Sequence, residues 1–412
     1  MSGEYLSRKL EDGTRGSRAY QAAAPILVAI AIALGGCGER VVQVSIRATV
    51  KADSSVRVVT FDSLPQTFGD LEIDAAKKWS LGGMSDADST EFDPRALRID
   101  VAELPSGDLV VADHQRLKYF DAQGKLLRIA GRAGSGPGEF SAIRELCAQA
   151  DSTVVVIDDD GRWSKWSREG EHLRTNAREG FIPPHACAPN GVFLAQIAGP
   201  GESIPTAGAR RTVGTKLFGV DGTPLADIGA FPAPEYFGQI FYEPGYWLTS
   251  SSLVLADPRT FEIRRYRTQD WRLTDTWRVN GALRTIGDAE WDSLQQSTIP
   301  RNAGAASRAR LPRIENPRVF PGFSALRVDP QARIWLNVYF EPRNWLVIDR
   351  DGTRLSRVSL PYAAEARPQL IGFVRGGVAI SHVDDDGAVR LSVHEIRGDT
   401  LTAPRDRNFN RG

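Results

Sequence analysis

Five histidines, His114, His172, His185, His382 and His394, are the first residues to test for metal or acid–base chemistry, and no two of them form an HxH or HExxH spacing. A zinc site would have to be assembled from separate segments, because tetrahedral coordination needs three or four donors converging on one point. Two acidic runs, Asp158-Asp159-Asp160-Gly161 and Asp384-Asp385-Asp386-Gly387, offer oxygen donors for Ca2+. They lack the longer loop and distal carboxylate of a dedicated calcium site, and Asp-Gly is what a tight hairpin requires, so both are read as turns. The string Gly134-Ser135-Gly136-Pro137-Gly138 has the glycines of a phosphate-cradling loop but leads into Glu139-Phe140, with no Lys-Ser/Thr and no helix after it. A turn between repeats is the expectation there. No catalytic residue, no metal-ligand set and no cofactor is expected; Ca2+ and Zn2+ are the ions to consider should one bind.

Two further groups of residues bear on chemistry. Cys147 and Cys187 stand in the similar contexts Leu146-Cys147-Ala148-Gln149 and Ala186-Cys187-Ala188-Pro189. They are either a disulfide, which an oxidising compartment would permit, or two buried thiols acting as small hydrophobes. Arg301, Arg308, Arg310 and Arg313 cluster in a Gly/Ala/Ser-rich stretch, where they would give an anionic ligand a local positive patch.

The elements that position these residues follow from a repeat. Gly107 to Leu127 reads as an apolar strand, a polar break, an alternating strand ending in an aromatic, and a turn at Gly124. The same pattern recurs with turns at Gly170, Gly222, Asp270, Gly352 and Gly398, at steps of 46, 52, 48, 82 and 46 residues. The long step holds one repeat and an insertion of roughly 36 residues, about 280–319. Short strands rich in Val, Ile, Tyr, Phe and Trp, broken by Gly and Asp turns, indicate antiparallel hairpins. Four such strands in about 45 residues make a propeller blade, and six blades close a disc without exposed sheet edges. The column Phe120, Trp166, Phe218, Tyr266, Ile348 and His394 supplies large side chains for packing blade on blade, His394 being the exception in kind. An N-terminal strand must complete the last blade; Val58–Phe61 and Lys78–Leu81 are the candidates, the second preferred. Within the insertion, Asp288-Ala289-Glu290-Trp291 opens a short helix with acidic residues in its first turn.

The N-terminus reads as an address. Arg8, Lys9, Arg15 and Arg18 precede the apolar or small run Ala22 to Gly36, too short for a comfortable bilayer span. The run ends in Leu34-Gly35-Gly36-Cys37, which resembles the lipobox of bacterial lipoproteins and so implies cleavage after residue 36 and lipid on Cys37. Gly38, in place of an aspartate, implies sorting to the outer membrane. The chain has 51 basic and 51 acidic side chains, and loss of residues 1–36 removes four and three of them, leaving a formal charge of −1. No field of that size draws nucleic acid.

The residues Ala112-Asp113, Phe120-Asp121-Ala122-Gln123-Gly124 and Gly131 to Phe140 resemble the NHL-repeat propellers, and most of all the exported bacterial six-bladed ones, over about residues 75–402. The NHL group includes a metal-dependent lyase, but no segment here carries its ligand pattern, so the resemblance implies the fold alone. The expected organisation is a signal peptide at 1–36, a tether with early strands at 37–74, a six-bladed all-β propeller at 75–404 and a tail at 405–412. The expected role is that of a membrane-anchored extracytoplasmic binding or scaffold propeller, which engages a protein, glycan or small molecule on one face. A metal-dependent lyase or lactonase-like hydrolase at the channel is the alternative.

Overall fold

The computed structural model describes residues 48–51, 56–65, 71–82, 91–93, 99–176, 181–197, 212–237, 240–297, 316–374 and 376–398. Cys37 and the run before it, Arg301, Arg308, Arg310, Arg313 and the tail 405–412 lie outside them. Among the described residues no helix is long and apolar enough to cross a membrane.

The chain forms six four-stranded antiparallel blades, each paired in the order first, second, third, fourth strand. Blade 1 is Ile99–Glu103, Leu109–Asp113, Arg116–Phe120 and Leu126–Ala130; blade 2 is Ile143–Ala148, Val154–Asp158, Trp163–Trp166 and His172–Asn176. Blade 3 is Phe181–Cys187, Val192–Ile197, Thr212–Gly219 and Pro224–Pro232; blade 4 is Gly245–Leu248, Ser252–Asp257, Glu262–Arg267 and Leu273–Val279. Blade 5 is Phe323–Val328, Ile334–Val338, Asn344–Ile348 and Leu355–Ser359. Blade 6 takes Gln369–Val374, Gly377–Val383 and Val389–Arg397 from the C-terminal end, and its fourth strand, Glu72–Gly82, from the N-terminal side. The preferred closing segment Lys78–Leu81 lies in that strand, with Ser80 opposite Ser392 and Leu81 opposite Leu391. The other candidate adds to blade 4 instead: Arg57–Phe61 pairs in parallel with Leu273–Val279, and Ala48–Lys51 pairs on its far side.

Apolar runs within the second strands explain why the blades stack. In a strand, alternate side chains point to opposite faces, so Leu109-Val110-Val111-Ala112 must bury both. Leu109 and Val111 join Ile371, Ala379, Leu391 and Val393 of blade 6, while Val110 and Ala112 join Leu146, Val154 and Val156 of blade 2. Each of the six interfaces between blades has such a core. The six residues of the expected aromatic column are all buried, five of them within these cores. Truncating one such side chain to Ala would cost on the order of 2–5 kcal/mol.

Five of the six repeat turns join third to fourth strands, and Gly398 follows the third strand of blade 6, whose partner comes from the other end of the chain. The glycine string joins blades 1 and 2. Its Glu139 carboxylate accepts the Gly136 N–H at 2.8 Å, and Phe140 packs on Trp166 with ring centroids 5.4 Å apart.

Strand direction fixes which loops share a face. With four antiparallel strands per blade, the connections between second and third strands lie at the same end as the crossovers between blades. That face carries a cap with a core of its own. The hairpin Glu235–Phe237/Ile240–Tyr242, between blades 3 and 4, contributes Phe237, Ile240 and Tyr242; the insertion between blades 4 and 5 contributes Ile286, Trp291 and Phe320. The expected helix is present as Asp288–Ser297 and turns Trp291 into this core.

Candidate binding channel

The first strands form the inner wall, and a cavity of about 1060 Å3 runs between them, lined by residues of all six blades. Its charged groups are Asp100 and Glu103 of blade 1, Arg144 and Glu145 of blade 2, Glu243 at the start of blade 4 and Arg327 of blade 5. A strict alternation would send Arg144 and Glu145 to opposite faces. The register shift between Ile143 and Glu145 against the second strand breaks that alternation, so both border the cavity. Similar shifts fall in the first strands of blades 3, 5 and 6.

Arg144 reaches from blade 2 to Glu243 at 3.0 Å and lies 3.6 Å from Asp159 on the cap face. Glu243 directly follows the cap hairpin, which ties this ion pair to the cap. Asp100 accepts the Leu146 N–H at 2.7 Å and its neighbour's N–H, from Val101, at 3.0 Å. Glu145 accepts the Cys187 N–H. Burial, reinforced by the Asp100 charge and only partly offset by Arg327 and Arg144, pushes its carboxyl up to about 8. It therefore holds a proton at neutral pH that an ordinary glutamate has lost.

The first strands of blades 5 and 6 approach each other least of the six neighbouring pairs, and there the cavity reaches outward to second and third strands. This recess holds Ser324, Asn337, Trp345, Gln369 and Phe373. The Asn337 amide donates to the carbonyls of Pro342 and Asn344 at 3.0 and 3.1 Å, and Ser324 donates to its oxygen at 2.7 Å. The Trp345 indole N–H is buried and has no hydrogen-bond partner. A buried donor left unpaired is costly, and such donors in native proteins call for an explanation.

Cys147 and Cys187 meet on the channel wall at the interface of blades 2 and 3, with Cα atoms 5.9 Å apart, the separation a disulfide takes. The acidic runs behave as turns. Asp158 accepts the N–H groups of Asp160 and Arg162 and pairs with Arg162 Nε at 2.8 Å; Asp384 accepts those of Asp386 and Ala388 and pairs with Arg390 Nε at 2.5 Å.

Two histidines with no shared spacing come together in blade 6. Tyr362 stacks on His382 at 4.0 Å and meets His394 edge-on at 5.4 Å. His394 Nδ1 donates to the Asp74 carbonyl at 2.8 Å, at the bulge of the closing strand, leaving Nε2 to accept from Tyr362 Oη or Ser392 Oγ. This accounts for a polar residue in the aromatic column: it fastens the strand that closes the ring. Burial holds both imidazoles below their usual range, His382 at about 4.

No protein-family model matches the chain, and comparison with curated proteins finds no match. Solved structures do match. One is the crystal structure of a candidate exported protein from Bacteroides fragilis, with 13% identity and a TM-score of 0.49, covering 83% of this chain and 99% of that one.

Proposed function

We propose that this chain is an extracytoplasmic, lipid-anchored binding propeller, related to the NHL-repeat type, that takes a sugar-sized polar molecule into its central channel from the cap face. The observation that carries the reading is the recess between blades 5 and 6, where a buried indole N–H lacks a partner beside amide and hydroxyl groups. A cavity of about 1060 Å3 suits a small molecule better than a protein surface. Arg144 and Glu243 pair with each other and Glu145 holds a proton at neutral pH, which favours a neutral polyol over a strongly charged ligand. Trp247, Tyr246 and Phe373 supply the apolar faces against which a sugar ring packs.

Export is supported by the basic and apolar N-terminus and by the two cysteines poised to bridge. The lipid on Cys37 and outer-membrane sorting rest on the Leu34–Cys37 motif and on Gly38. The insertion arginines Arg301, Arg308, Arg310 and Arg313 lie outside the described residues and carry no part of this reading.

The test is thermal unfolding of the full-length protein in mild detergent, followed by tryptophan fluorescence, against a panel of mono- and disaccharides. At least one saccharide raises the midpoint in the wild type and not in Asn337→Leu. A panel that leaves the wild type unmoved, or a shift that survives in Asn337→Leu, overturns the proposal.

A further inference from the structure

The wall between blades 2 and 3 brings one carboxyl to two sulfurs. One oxygen of Glu145 and the Sγ atoms of Cys147 and Cys187 all lie within 4.8 Å of one another, and all three residues line the channel. The cysteines are 8% and 9% exposed and both border the cavity. Glu145 and Cys147 are two residues apart on the same strand, and the carboxyl is also fastened to Cys187 through its N–H. A staple between blades needs only the two cysteines. It does not need an ionisable group, kept on a buried wall among Asp100, Arg144 and Arg327, at the atoms where a bridge would open.

We infer that Cys147 and Cys187 form a redox-active disulfide, which exchanges with a thiol entering through the channel while Glu145 carries the proton. In the forward direction a thiolate attacks one Sγ, the S–S bond breaks, and the other sulfur leaves with the electron pair. Glu145 delivers its proton to that leaving thiolate. A second equivalent of the external thiol then displaces the mixed disulfide, and the second cysteine leaves as a thiol. The sum is two external thiols and the Cys147–Cys187 disulfide giving one external disulfide and two protein thiols. Two electrons and two protons pass to the protein. In reverse, Glu145 as carboxylate removes a proton from the attacking cysteine. The co-reactant is a low-molecular-weight thiol, since a cavity of this size does not admit a folded partner.

This inference rests on an open channel and not on saccharide binding, and its readout involves no saccharide. The experiment incubates the full-length protein in mild detergent with reduced glutathione between pH 6 and 9. Cys147 and Cys187 are alkylated at intervals and located by peptide mass mapping, while tryptophan fluorescence follows the fold. Both thiols become labelled while the fluorescence stays native, and Glu145→Gln lowers the rate by on the order of 10² with a flattened pH profile. Should that variant fold poorly, Glu145→Asp, which keeps the acid one methylene back, shows a displaced pH profile in its place. Labelling that appears only as the protein unfolds overturns the inference, as does a Glu145 variant that keeps the wild-type rate and profile. Thiols labelled from the start, without glutathione, overturn it too.

Discussion

Replacing Glu145 with Gln tests the channel electrostatics without touching the fold's architecture. In the folded protein the carboxyl holds its proton up to about pH 8, whereas in the unfolded chain it titrates at an ordinary value near 4.5. Between those values the folded state binds a proton that the unfolded state has released. Stability is therefore fully present below about 4.5 and is lost as pH rises through 8. By pH 7, about 2.5 units above the unfolded value, the loss would reach about 3 kcal/mol, at about 1.4 kcal/mol per unit. Part of the side chain faces the cavity, whose water relieves some of that burial, so the expected cost is about 1–3 kcal/mol. Gln keeps the shape and the bond from Cys187 but has no charge to desolvate. Urea unfolding of oxidised wild type and Glu145→Gln at pH 5 and pH 8 gives the comparison. The variant is more stable by about 1–3 kcal/mol at pH 8 and nearly equal to wild type at pH 5. A variant that gains equally at both pH values, or loses at pH 8, would refute the account of this site.

Three other perturbations probe the ring itself. His382 is buried and neutral, with its proton affinity depressed to about 4, so it contributes stability above about 6.5 that is lost as pH falls towards 4. His382→Phe keeps the stack on Tyr362 and should flatten the loss of midpoint between pH 6.5 and 4, a slope worth about 3 kcal/mol; an unchanged slope assigns it elsewhere. Lys118, 2.8 Å from Asp113 with both side chains almost fully buried, is the cation of a closed pair. Lys118→Met leaves the carboxylate uncompensated and should cost about 3 kcal/mol or more in urea unfolding; a neutral effect would contradict a closed, buried pair. Gly377 has φ 148°, and a Cβ there would sit 1.8 Å from the His394 carbonyl oxygen. Gly377→Ala should lower the thermal midpoint by several degrees or prevent soluble expression; wild-type melting contradicts the packing at the closing blade.

Much of the fold was legible because a propeller writes its blades locally. The turns at Gly124, Gly170, Gly222, Asp270 and Gly352 each join a third strand to a fourth, and unbroken apolar runs such as Leu109 to Ala112 mark strands with both faces buried. The helix at Asp288 and the Asp-Gly turns follow from short-range rules in the same way. What could not be read is whatever depends on the ring. Asp100, Glu145, Glu243 and Arg327 lie up to 227 positions apart and meet only because first strands face a common axis. The bulge that turns both Arg144 and Glu145 to the cavity leaves no mark in composition. The cap hairpin went unseen because the first strand of blade 4, Gly245–Leu248, is only four residues long, so the step from Gly222 to Asp270 kept its length despite the addition. The five histidines, taken by spacing, gave no sign of the Tyr362–His382–His394 cluster, since Tyr362 arrives from the crossover and the closing carbonyl from Asp74. The insertion arginines singled out by charge lie outside the described residues, and the described polar groups converge on the channel.

The most direct test of the binding account is a crystal structure of the protein soaked with whichever saccharide raises its melting midpoint most. The account predicts the sugar in the central channel, with the Trp345 indole N–H and the groups around Asn337 within hydrogen-bonding distance. A sugar bound on the outer rim or on the opposite face, with the recess between blades 5 and 6 empty, would contradict it.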